Sequence, residues 1–164
     1  MDSKEKIQIV SSFDLYNKET DLLNEDRLLL MHARKSVESA YAPYSHFNVG
    51  AAVLLENGEI ICGSNQENAA YPSGLCAERV AIFYAGTKFP NVKIKAIAVT
   101  CKAENQVVGE PVTPCGACRQ AISEYETRHS QKIKIIMSGE TGKILVAESI
   151  DSLLPLMFNS KHLK

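Results

Sequence analysis

Of the five cysteines in the 164 residues, three have neighbours and spacing that could do chemistry. Cys115 and Cys118 lie three apart in Pro114-Cys115-Gly116-Ala117-Cys118, and Cys76 opens the run Cys76-Ala77-Glu78-Arg79. The segments that follow, about 77–85 and about 116–128, read as helices, so all three sulfurs fall at helix starts. Unpaired backbone N–H groups and the positive dipole end favour the thiolate there, which is the metal-binding form. Three thiolates are one ligand short of a closed tetrahedral zinc site, and the open position is what catalytic zinc needs for water. Glu78, two residues after Cys76, is close enough to relay a proton without being a ligand.

Read alone, Cys-x-x-Cys fits a redox dithiol or two buried thiols equally well. A closed structural zinc would need a fourth soft ligand. Cys62 and Cys101 are the spare cysteines, and both sit in or at the end of apolar strands, where small core residues are expected. His32, His46, His129 and His162 have no ligand spacing.

The elements that must position these residues follow from periodicity and breakers. A first helix starts near Asn24 or Glu25 and runs to about Tyr41, with Ala42-Pro43-Tyr44-Ser45 ending it. A hairpin follows, with Phe47–Leu55 and Ile60–Ser64 as strands around the Asn57-Gly58 turn. Further strands are expected at 94–100, 133–138 and 144–148, and a short closing helix at about 152–158. This order predicts an α/β fold, a three-layer α/β/α sandwich around a five-stranded mixed sheet. Residues 1–22 read as an extension, with Ile7-Gln8-Ile9-Val10 as a possible short strand, and 23–164 as one catalytic domain.

A composition of 45% hydrophobic and 23% charged residues is that of a globular protein. The net charge of -1, with Lys and Arg scattered, speaks against nucleic acid and anionic membranes as partners. The first six residues are polar, unlike a signal peptide, and no stretch nears the roughly 18 apolar residues of a membrane span. With an odd number of cysteines, a reducing cytoplasmic setting is expected.

Cys76-Ala77-Glu78-Arg79 followed by Pro114-Cys115-Gly116-Ala117-Cys118-Arg119-Gln120 resembles the cytidine deaminase family, in its small, homotetrameric, three-cysteine zinc class. The resemblance extends from about Asn24 to Phe158. It implies hydrolytic deamination of cytidine and 2′-deoxycytidine to uridine and 2′-deoxyuridine in pyrimidine salvage, with one Zn²⁺ per chain and Glu78 moving the protons. Phe47, in Phe47-Asn48-Val49-Gly50, takes the place of the aromatic residue that packs on the pyrimidine. Asn65 and Glu67, in Asn65-Gln66-Glu67-Asn68, take the places that hold the ribose hydroxyls. Ala77 joins the substrate pocket, and Phe158, with Ala69 and Tyr71, falls where a neighbouring subunit completes it. The extension has no counterpart in this resemblance.

Three thiolates on Zn²⁺ leave a formal charge of -1, which weakens the metal as a Lewis acid. Arg79 and Arg119 each sit on the first turn of a ligand helix, where a cation opposes the dipole. One or both are therefore expected to donate hydrogen bonds to the sulfurs.

Overall fold

Strand β2 (Phe47–Leu55) sends Ala51, Val53 and Leu55 to one face and Ala52 and Leu54 to the other, and all five are buried. A strand apolar on both sides needs cover on both sides. Helix α1 (Asn24–Ser36) covers one face with Leu29, Leu30 and Ala33. Helices α2 (Ala77–Lys88) and α3 (Gly116–His129) cover the other with Ala81, Ile82, Ala85 and Ile122. The expected α/β/α sandwich is thus the architecture of the computed structural model, which describes residues 4–163.

The sheet has six strands rather than the expected five, in the order β1-β6-β5-β4-β2-β3. Strands β3 (Ile60–Ser64), β4 (Ile94–Ala103), β5 (Lys134–Ser138) and β6 (Ile144–Ala147) lie close to their expected places. Only β4 and β5 pair in parallel; the other neighbours are antiparallel. The additional strand, β1 (Asp14–Tyr16), pairs with Ile144–Val146 of β6. Three residues of mixed polarity carry no readable alternation, and it is the open edge of β6 that makes them a strand. Ile7–Val10, the segment expected to be a strand, has no regular structure. Residues 1–3 of the extension lie outside the described residues.

Two helix ends also differ. After Ser36 the chain tightens into a 3-10 turn, Val37–Ser39, instead of continuing to Tyr41. The backbone of Tyr41 is taken by the next loop: its N–H donates to the Asn65 carbonyl, and its carbonyl accepts from Glu67 N–H. The closing helix is reduced to a 3-10 turn, Ile150–Ser152. Pro155 lacks a donor and disfavours helical dihedrals at Leu154. Among the described residues no helix is long and apolar enough to cross a membrane.

Candidate active site

Cys76 and Cys115 occupy the N-cap positions of α2 and α3, and Cys118 lies in the first turn of α3. Two features bring these helix starts together. The loop before Cys76 folds back on itself through paired backbone bonds between Gln66 and Leu75. The first turn of α2 then lies directly on β3, where a Cβ at Gly63 would stand 2.6 Å from the Ala77 carbonyl oxygen. Glycine is what permits that approach.

The result is a sulfur cluster. Cys115 Sγ is 3.6 Å from Cys76 Sγ and 3.4 Å from Cys118 Sγ, and all three sulfurs lie within 4.8 Å of one another. Tetrahedral zinc with Zn–S bonds of about 2.3 Å sets its sulfurs about 3.8 Å apart, so the donor set fits that ion in kind and spacing. No other group of three His, Cys, Asp or Glu residues converges in this way among the described residues. Cys62 and Cys101 stay away from the cluster. Cys101 is buried as expected, but Cys62 is exposed on edge strand β3, where its Sγ lies 3.9 Å from the His32 carbonyl oxygen.

Glu78 is 4% exposed, and burial pushes its carboxyl up to about 7, with the negative Cys76 adding to the effect. That value suits a group that takes and returns a proton near neutrality. Cys76 is drawn down to about 5, first by the hydrogen bond from Cys118 and then by the Arg79 guanidinium. Cys118 moves the opposite way, upward, because it donates to Cys76 and is buried.

The two arginines part company. Arg79 Nη2 donates to Cys76 Sγ at 3.8 Å, as expected for a group that relieves sulfur charge. Arg119 does not touch a thiolate. Its Nε donates to the Pro114 carbonyl and its Nη1 to the Leu153 carbonyl, both at 2.7 Å, and its Nη2 reaches Thr113 Oγ1 at 3.2 Å. Position on the first turn does not decide which way the side chain leaves the helix. Here the open carbonyls of the 113–114 loop and the 153 segment capture it.

A cavity of about 770 Å³ opens beside the cluster. Phe47, Asn65, Glu67 and Tyr71 line it together with Cys76, Glu78 and Cys115. Asn65 is nearly buried; its Oδ1 accepts from Val49 N–H at 2.8 Å and its Nδ2 donates to the Phe47 carbonyl at 2.9 Å. Glu67 Oε2 accepts from the Tyr44 and Ser45 N–H groups at 2.9 and 3.2 Å. Ala77 is fully buried and Ala69 and Phe158 are exposed, and all three lie outside the cavity lining. The lining also includes Tyr44, Val99, Val112 and Thr113, which the spacing of reactive residues did not single out. Tyr44 and Thr113 flank motif residues in sequence, but only folding brings Val99 and Val112 to this wall.

Residues 23–133 match the family model of the cytidine and deoxycytidylate deaminase zinc-binding region. The chain belongs to this family. Among its relatives, the cytidine deaminase of Sporosarcina psychrophila is 40% identical over 135 residues, covering 82% of this chain and 92% of that protein. The cytidine deaminase of Halalkalibacterium halodurans is 36% identical, covering 84% and 96%. The crystal structure of cytidine deaminase from Burkholderia pseudomallei superposes with a TM-score of 0.69 at 36% identity, covering 80% and 97%. The matched family region begins after the extension, so β1 lies outside it.

Proposed function

We propose that this protein is a zinc-dependent hydrolase that converts cytidine and 2′-deoxycytidine, with water, to uridine and 2′-deoxyuridine and ammonia. The observation that carries the reading is the convergence of three sulfurs beside a buried carboxyl at a cavity. Cys76, Cys115 and Cys118 would hold the ion. When bound, zinc supplies Lewis acidity that makes water a nucleophile near neutral pH.

Glu78 takes one proton from the attacking water and gives it to ring N3, then takes the second from the new C4 hydroxyl and gives it to the departing amine, which leaves as ammonia. Its burial keeps bulk water from competing for that proton. Arg79 withdraws charge from the Cys76 sulfur. Phe47 packs against the pyrimidine, Ala77 takes part in substrate binding between Cys76 and Glu78, and Asn65 and Glu67 hold the ribose hydroxyls, with Glu67 exchanging backbone partners for the sugar. Phe158, exposed and outside its own cavity, completes the pocket of a neighbouring subunit in a homotetramer, aided by Ala69 and Tyr71. Residues 23–164 form the catalytic domain, with 1–22 as an extension, and the free state of all five cysteines fits a cytoplasmic setting.

Loss of absorbance on incubation with cytidine and with 2′-deoxycytidine, together with zinc content and ammonia release, tests the activity. Zinc near one per chain without turnover of either nucleoside would defeat it. Sedimentation of the purified protein tests the tetramer.

A further inference from the structure

Two consecutive residues of α3, directly after Cys118, reach in one direction. Arg119 Nη1 donates to the Leu153 carbonyl at 2.7 Å, and Gln120 Nε2 donates to the Phe158 carbonyl at 2.8 Å. The segment between these anchors is short, with Leu154 and Met157 packed against the core and Pro155 and Leu156 exposed. Leu154 N–H is held by the Ile150 carbonyl, Pro155 breaks the turn, and Leu156 adopts a left-handed φ of 59° while 90% exposed. A non-glycine residue in that region persists where its surroundings impose it. Nothing packs on Leu156 to impose it, so the constraint comes from the chain on either side, where Leu154 and Met157 pack against the core and the two anchors hold the ends. Phe158 stands at the far end, half-exposed and stacked on His162.

We propose that Arg119 and Gln120 are positioning residues that pin the 153–158 segment at both ends onto the metal-bearing turn of α3 and thereby fix where Phe158 leaves the subunit. This rests on the reading that Phe158 completes a neighbouring pocket. Arg119 serves two structures at once, since the same guanidinium holds Thr113 and Pro114, the residues that lead into Cys115. The approach to a metal ligand and the placement of the C-terminal segment therefore share one side chain. Gln120 serves the segment alone.

Hydrogen–deuterium exchange across 153–159 in the zinc-loaded enzyme, with steady-state kinetics on cytidine, tests the assignment. Gln120→Ala should speed exchange there and raise KM roughly threefold to tenfold, the scale of one lost hydrogen bond, with kcat within about twofold and zinc retained. Arg119→Ala should speed exchange and raise KM to a similar degree but lose zinc faster to a chelator; Arg119→Lys should recover part of the exchange protection. Unchanged exchange in both alanine variants overturns the tether. Faster exchange with unchanged KM, while Phe158→Ala raises KM, overturns its positioning role. If Phe158→Ala leaves KM unchanged, the reading of Phe158 itself fails, and exchange alone then decides whether Arg119 and Gln120 hold the segment.

Discussion

Arg79 donates from Nη2 to Cys76 Sγ, while its Nε is buried with no partner among the described residues. An unpaired buried donor on a cation is costly unless negative charge lies close by. The sulfur cluster supplies that charge most fully when all three thiols are ionised, so the arginine is matched to the metal-loaded state. Arg79→Gln should lower kcat on cytidine by about tenfold, the cost of one charge-assisted hydrogen bond, and speed zinc loss to a chelator. Wild-type kcat and zinc retention in this variant would remove Arg79 from the site.

Cys76 is held near 5 and Cys118 is raised, so at neutral pH the metal-free cluster keeps at least one proton that zinc must displace. Zinc uptake should therefore release about one proton or more per ion, and affinity should rise with pH. Titration calorimetry in two buffers of different ionisation heat measures the release directly. Equal heats in both buffers would contradict the prediction.

Glu78→Gln should lose at least about 100-fold in kcat while keeping zinc, because the carboxamide cannot carry the proton. The same change should stabilise the metal-free protein at high pH. The folded-state value of Glu78, about 7, lies above its ordinary 4.5. The favourable neutral form is therefore present below pH 4.5, and its contribution is lost as pH rises through 7. Wild type should fall behind the variant over that window, by up to about 3 kcal/mol at pH 8. Thermal melts of both chelator-treated proteins at pH 4.5 and pH 8 check this, and a constant difference between the two would refute it.

Asn65 joins the backbone of β2 to the end of β3 through both ends of its carboxamide. Asn65→Ala leaves Val49 N–H and the Phe47 carbonyl without those partners, for a loss of about 1–3 kcal/mol in stability. It should also raise KM, since Phe47 loses its fixed position. Urea unfolding and substrate titration separate the two effects.

Much of this molecule is decided by local sequence. The Asn57-Gly58 turn sets the hairpin, with Gly58 at a φ of 85°, and the two-sided apolar runs of β2 and β4 require helices on both faces. The convergence of the three cysteines, with Glu78 beside them, was legible because all four sit at helix starts, and a helix start is itself a local property. Contacts between distant segments were not legible. Asp14–Tyr16 is a strand only because β6 offers an open edge, and the C-terminal segment fails as a helix once Pro155 meets the anchors on α3. Arg79 and Arg119 have equivalent places on their helices, yet one faces sulfur and the other faces carbonyls 5 and 34 residues away in sequence. The sequence determined which side chains could bind the metal and which carboxyl stands beside them. The tertiary structure decided what each charged group meets, because a hydrogen bond is chosen by the acceptors that folding brings within reach.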